Sequence, residues 1–438
     1  MSSSRAQSTI AFARHEFARY EAAVKSAAVA MTLVLPVFLF YGRAVADALA
    51  SGVAVLFLLR CALARDWRWA AQAWVRIAAA LWLLILVASL SAGPAHSAVE
   101  ALVMARLLLF CAALEAWVLA QPRERRWLAL VFTAAAAWLM LQCWQQYLLG
   151  QNVMGHPRWS DGALTGPFYR PRAGGAFLMV LFPGLIAIVL TQIMRPERGA
   201  RLAGLALLVL SVLTMILIGQ RMPSLLMLLG LGLTALIVRP FRTFALLALL
   251  AGLVALLALP MVSPPTYAKL VVRFAEQVSH FASSPYGQLY TRAAAMVAAH
   301  PWLGLGFDGF RSFCSDPAYR SRSLALGPDD GQGGTLGCDI HPHNYYLQVA
   351  TAAGLPGLLL FVALIAVWLS RMVRALDPAR DVPQATLAVA CSVLFWPVAS
   401  TTSLFTFDNA GWVFLLTGWA LASSIQPRDP GGRHARAP

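Results

Sequence analysis

Charge is what this sequence has least of: Asp, Glu, Lys and Arg together make up 12% of its 438 residues, against roughly 25% in soluble domains. That shortage excludes a water-soluble domain of ordinary surface. Acidic residues are rarer still, 19 against 34 Lys and Arg. They are scattered, and the one adjacent pair, Asp329 with Asp330, is surrounded by glycines and reads as a solvated turn. Neither a carboxylate metal cluster nor a paired-acid catalyst is therefore expected. Period-2 alternation is absent, which excludes a membrane barrel. No internal repeat or low-complexity segment is present. No strand precedes Gly304 and Gly306, so their Gly-rich turn is not a dinucleotide fingerprint. Residues 1–25 are polar and basic and the first apolar run lacks a small-residue cleavage site, so no cleaved signal peptide is expected.

What the chain has is apolar length. Hydrophobic residues make up 59%, and they gather into about twelve runs of the length that crosses a bilayer core. The runs lie at 26–42, 46–64, 74–92, 97–120, 127–148, 174–194, 202–219, 223–238, 243–262, 345–369, 383–400 and 407–425. In lipid each must satisfy its own backbone hydrogen bonds, so helices are the physical choice. The fold class expected is an all-α polytopic membrane protein of about 12 transmembrane helices. Residues 1–262 would hold an N-terminal tail and helices 1–9, residues 263–344 a large, partly helical external loop, and residues 345–438 helices 10–12 and a tail.

The net charge of +15 reads as topology rather than as a nucleic-acid surface, and no nucleic-acid partner is expected. With the N-terminus inside, the clusters Arg5, Arg14, Arg19 and Lys25; Arg65 and Arg68; Arg123, Arg125 and Arg126; Arg195, Arg198 and Arg201; Arg239 and Arg242; Arg371, Arg374 and Arg380; and Arg428, Arg433 and Arg436 share one side. About twenty basic residues fall there, against about five in the short loops opposite. Both termini are accordingly expected on the cytoplasmic side of a multi-pass membrane protein. Residues 10–24 suit either an amphipathic helix on the inner leaflet or a solvated tail.

Of the six cysteines, Cys61, Cys111, Cys143 and Cys391 fall in or near the runs, as small buried hydrophobes. Cys314 and Cys338 share the long external loop, where an oxidising compartment permits a disulfide between them.

Two external segments exceed a tight turn. Residues 149–173 are rich in Gly, Pro, Arg and aromatics; Arg170 and Arg172 would attract a polyanion or a sugar, or belong to an interfacial belt with Trp159, Phe168 and Tyr169. The loop 263–344 is long by ordinary loop-length priors, with helix-compatible stretches near 267–282 and 286–299. Arg292 lies in the middle of the second. Arg221, in the turn between runs seven and eight, has no acidic neighbour in sequence, so it either snorkels to lipid phosphate or binds an anionic ligand. Two guanidinium forks, Arg221 and Arg292, together suit a diphosphate. Arg106 sits inside the fourth run, where a charge is costly; it pairs with Glu100 or Glu115, or contacts a lipid diphosphate.

The loop closes with CDIHPHNYYLQVATAAGLPG. Asn344 is placed as an N-cap of the tenth run, and His343, beside the positive end of that helix, is disfavoured as imidazolium and available as a general base. His341 competes for the role. At 100° per residue Gly354 and Gly357 fall near the face of His343, which implies a groove beneath it or close packing of small residues.

His343-Asn344 followed by Gly354 and Gly357 resembles the signature of the O-antigen ligase and polymerase superfamily. Arg292 with HPWLGLG, GQRMPS around Arg221, and LTGPFYRPRAGGAFL are similar to other family segments. The resemblance implies a GT-C-like membrane fold and inverting glycosyl transfer from an undecaprenyl diphosphate-linked glycan, with no nucleotide sugar, metal or cofactor. It implies His343 as base, Arg221 and Arg292 as diphosphate ligands, and an acidic position at Asp408; Arg170, Arg172, Asn344 and Arg106 are candidate substrate contacts on their own chemistry. Donor and acceptor would be undecaprenyl diphosphate-linked O-antigen and the lipid A-core oligosaccharide, joined on the periplasmic side in lipopolysaccharide biosynthesis. O-antigen polymerase and protein O-oligosaccharyltransferase are the alternatives within the superfamily. A lipid-linked oligosaccharide flippase or transporter is the alternative of another class. The oligomeric state is not legible in the sequence.

Overall fold

The computed structural model describes residues 2–319, 338–339, 341–374, 376–378, 381–398 and 403–425, with side chains from residue 19 onward. Asp329, Asp330, Arg380 and the tail residues Arg428, Arg433 and Arg436 lie outside the described residues.

The apolar runs are helices: α1 (Ser2–Tyr41), α2 (Arg43–Ala64), α3 (Ala73–Ser91), α4 (Ala95–Val118), α5 (Pro122–Leu149), α6 (Ala173–Ile193), α7 (Arg198–Ile218), α8 (Arg221–Ile237) and α9 (Phe241–Val262). The long loop adds α10 (Arg273–Ser279), α11 (Pro285–Ala299) and α12 (Gly309–Phe313), and the chain ends with α13 (Tyr345–Arg374), α14 (Val382–Leu394) and α15 (Phe407–Ser423). Among the described residues there is no strand, only an isolated bridge between Gln151 and Pro157. Nine of these helices, α1 to α7 with α9 and α13, are long and apolar enough to cross a membrane, while α8 and α14 are apolar but shorter. The twelfth expected run falls on α15, of 17 residues. The chain is a multi-pass, all-α membrane protein. Run 383–400 is helical only in its first part: α14 stops at Leu394, before the Trp396-Pro397 step that disfavours helix. α1 is continuous from Ser2, so residues 10–24 extend the first span rather than forming a separate helix on the leaflet.

Charges inside the bundle are paired by its packing. Arg106 of α4 donates from Nε and Nη2 to the Asp47 carboxylate of α2, each at 2.9 Å. This corrects the expectation of Glu100 or Glu115: the partner comes from a neighbouring helix, which sequence distance does not reveal. Glu115 is buried and held by Arg371 of α13, with Trp74 Nε1 donating to its other oxygen at 2.8 Å. An ion taken from water into an apolar bundle costs several kcal/mol unless so compensated.

The loop-bearing end is a packed layer rather than a set of free connections. The segment Pro301–Gly306 docks edge-on against α13, where Leu305 N donates to Thr351 O at 2.8 Å, Gly306 N to Ala352 O at 2.9 Å and Leu355 N to Pro301 O at 2.7 Å. At this contact α13 is broken: Ala353 and Gly354 leave helical geometry, with Gly354 at φ +66° and ψ −167°. A Cβ on Gly354 would lie 2.6 Å from Pro301 O, and one on Gly304 2.5 Å from the Ala352 carbonyl carbon. The helical projection from His343 to Gly354 therefore fails. Gly354 serves a close backbone junction, not a groove beneath the histidine. Gly354→Ala combines a backbone region nearly reserved for glycine with a steric clash, and is expected to destabilise by about 2–4 kcal/mol. A lower apparent Tm in detergent, with Gly175→Ala as control because its Cβ would meet nothing within 4 Å, checks this.

Beside the junction lies a second small core of Leu289, Met296, Leu305, Phe310 and Cys314. Cys314 is joined to Cys338 by a disulfide, with Cα atoms 5.4 Å apart. The other four cysteines are free and buried.

Candidate functional site

Loop 149–173 and the turn before α8 interlock. Leu164 N donates to Ile218 O at 3.2 Å, and the Gln220 amide donates to Pro171 O. Pro171 lies between Arg170 and Arg172, both exposed, and Gln220 directly precedes Arg221, so three of the expected arginines share one neighbourhood. Lys269 pairs with Asp161 across the same loops. Burial pushes the Asp161 carboxyl up, but the Lys269 hydrogen bond and the charges of Lys269 and Arg273 outweigh it and hold the group below its ordinary range.

Arg221 is the first residue of α8. It donates to Gln277 Oε1 and to the Arg273 carbonyl, the latter at 3.3 Å, which ties α8 to α10. A cation at a helix N-terminus opposes the helix dipole, and an anion bound there would gain from both.

His343 stands at the other side of this neighbourhood. Asn344 caps α13 as expected, its Oδ1 accepting from Tyr346 N at 2.9 Å and Leu347 N at 3.1 Å. The cap forces the chain to turn one residue earlier, and His343 adopts φ +51°, uncommon without glycine. Its ring lies edge-on to Tyr286 of α11, centroids 5.2 Å apart, and 4.2 Å from the ring of His341. Nε2 is 3.4 Å from Asp339 Oδ2. Tyr290, one turn beyond Tyr286, donates to the His343 carbonyl at 3.5 Å.

Tyr286 joins the two halves. Burial pushes its phenol above its ordinary value, the Arg221 charge pulls it down and the Asp339 charge pushes it up. Arg221, Tyr286, Asp339 and His343 thus form one electrostatic cluster. Arg292 is reached differently. It lies about 120° round α11 from Tyr286, and its Nη1 donates to Asp316 O at 3.5 Å. The two arginines therefore approach α11 from different flanks, which departs from the simple convergence expected of them. Asp408 lies in the first turn of α15 and pairs with Arg43 at 3.4 Å. The next residue, Asn409, donates to the Tyr345 hydroxyl at the start of α13.

Two residues along the chain from Arg221 and from His343, at Pro223 and Tyr345, lies an apolar cleft enclosing about 40 Å³. It is lined by Gly175 and Leu178 of α6, Pro223 and Leu226 of α8, Tyr345 of α13, Val393 and Leu394 of α14, and Leu416 of α15. Gly175, Pro223 and Tyr345 all lie in first helical turns, so the N-termini of α6, α8 and α13 border the cleft.

Sequence reasoning missed Tyr286, Tyr290, Asp339 and the linking residues Gln220, Gln277 and Arg273. The tyrosines gave a signal in their i, i+4 spacing within YGQLYTR, which puts them on one face of the expected helix. Asp339, next to a cysteine in the long loop, gave none.

One further acid was not singled out. Asp308 sits at φ +52° in the docked turn, its side chain 12% exposed and 3.8 Å from Arg311. Burial pushes its carboxyl up to about 6; Arg311 pulls it down and Glu100 pushes it further up. Because the folded pKa is raised, the protein is relieved of this cost below pH 3.8 and bears it increasingly as pH rises through 6. Asp308→Asn is expected to stabilise by about 2 kcal/mol at pH 7.5, with the gain fading toward pH 4. Apparent Tm measured across that range tests the sign; a gain independent of pH would rule out this explanation.

Residues 206–362 match the family model described as O-Antigen ligase, which supports the O-antigen ligase superfamily for this chain. The matched stretch contains Arg221, Arg292, both disulfide cysteines and His343, while Arg106, Arg170, Arg172 and Asp408 lie outside it. A comparison with curated proteins gave no match.

Proposed function

We propose, with the O-antigen ligase superfamily as the premise, that this protein is an O-antigen ligase: it transfers O-antigen from undecaprenyl diphosphate to a sugar hydroxyl of lipid A-core. The observation that carries the reading is the apolar cleft bordered by three helix N-termini, with Arg221 and His343 each two residues from its lining. Its apolar lining suits contact with a polyprenyl chain. A diphosphate suits its border, where dipole ends and guanidinium donors favour negative charge.

In this reading the lipid enters between α6, α8 and α14, and its diphosphate lies against Arg221. Arg170 and Arg172 stand behind it, and Arg292 reaches it from the outer flank of α11. The acceptor hydroxyl approaches from the His343 side. His343 takes the hydroxyl proton as the oxygen bonds to the anomeric carbon, and the carbon–oxygen bond to the diphosphate breaks on the opposite face, with inversion. Its electron pair goes to the leaving diphosphate, whose charge Arg221 stabilises. No metal is required by this outline. The basic clusters at the opposite helix ends favour cytoplasmic termini and a periplasmic site in the inner membrane.

The test uses purified full-length protein with lipid diphosphate-linked O-antigen, lipid A-core and EDTA, all on one side of the membrane. Core-linked glycan is the expected product. Extension of the donor glycan without core attachment would identify a polymerase instead. Movement of donor across liposomes with no bond formed would identify a transporter.

A further inference from the structure

The segment that carries His343 contains a second carboxylate contact that the transfer chemistry above leaves without a role. Asp339 Oδ2 lies 3.4 Å from His343 Nε2, four residues back along the chain. Asp339 directly follows Cys338, whose disulfide partner Cys314 is buried in the small core under α11 and α12. The Cys314 sulfur also lies 3.8 Å from the Asp339 carbonyl oxygen. One end of the histidine segment is thus fixed by the Asn344 cap and the other by a covalent bond.

We propose that Asp339 is a positioning residue for His343, its carboxylate accepting from Nε2–H, and that the Cys314–Cys338 disulfide holds Asp339 in place. This rests on His343 being the base of the proposed transfer. A neutral imidazole has one N–H and one lone pair, so a carboxylate at Nε2 selects the tautomer that leaves the lone pair on Nδ1, an atom enclosed by its neighbours here, to which the acceptor must open a way. The same carboxylate stabilises the imidazolium that forms when the acceptor proton arrives. The left-handed backbone at His343 is uncommon for a residue with a side chain, and constraints on both sides of it account for its persistence. The groups that face His343 are Asp339 and His341 on its own segment and Tyr286 and Tyr290 on α11, with Arg221 of α8 acting through Tyr286. Asp339 is the carboxylate placed to balance a protonated His343 ring.

The experiment compares kcat, acceptor KM and the kcat–pH profile of full-length wild type, Asp339→Asn, Asp339→Glu, Cys338→Ser and His343→Ala. Asp339→Asn is expected to lower kcat at least about tenfold with KM little changed, through loss of the tautomer restraint. Its acid limb should move to lower pH, because protonated imidazole loses its carboxylate. Asp339→Glu should restore part of both, and Cys338→Ser should change both in the same direction as Asp339→Asn. An unmoved acid limb in Asp339→Asn, whatever its kcat, would overturn the positioning role. A wild-type profile and kcat in Cys338→Ser would overturn the tether. An active His343→Ala would instead strike the base assignment on which the inference stands, and an inactive one with wild-type Asp339→Asn would strike the inference alone.

Discussion

Replacing His343 by alanine is expected to lower kcat for glycan transfer by about 10³-fold, the middle of the range for loss of a general base. The ring makes an edge contact with Tyr286 and packs beside His341, and its side chain is 18% exposed. Its removal leaves no large cavity in the bundle, so apparent Tm and donor KM should change little. His341→Ala is the informative comparison. His341 is 4% exposed, and its loss should reduce stability before it reduces chemistry. If His343→Ala retains transfer within about tenfold while His341→Ala does not, the base has been assigned to the wrong histidine.

Much of this cluster was legible in the chain because its chemistry is local. The Asn344 cap follows from one residue type at one boundary, and the helix over residues 286–299 from its composition, as its observed bounds Pro285–Ala299 bear out. The disulfide expected from two loop cysteines is present. What the sequence withheld depends on neighbours distant along the chain. Arg106 finds Asp47 because α2 and α4 pack side by side, and no local pattern favours that acid over Glu100 or Glu115. Gly354 looked like a helical position, since a wheel assumes an unbroken helix, yet the docked turn at Pro301 breaks α13 there. The apolar cleft draws on five helices from α6 to α15, and only their packing makes it a place.

Loss of the Arg221 guanidinium is expected to reduce kcat/KM by about 10²–10³-fold, the scale seen when one donor to a developing anion is removed. Two observations set this residue apart from the other arginines at the same end. It heads α8 two residues before Pro223, which lines the cleft, so in the proposed reading a diphosphate beside the cleft would meet its fork. It is also placed where the helix dipole disfavours a cation, at a cost of up to about 1 kcal/mol, a cost that a bound diphosphate would reverse. Its hydrogen bonds to Gln277 and the Arg273 carbonyl orient it and offer a structural explanation for any loss. Gln277→Ala separates the two: if tying α8 to α10 were the whole role, that variant would lose as much activity as Arg221→Ala. Arg221→Lys should recover only about tenfold, because an ammonium is a point charge without the planar fork. Arg292→Ala, acting from the other flank of α11, should cost less than Arg221→Ala. Equal losses at the two positions would mean that Arg292 holds the diphosphate as closely as Arg221, turned away from Asp316 when the lipid is bound.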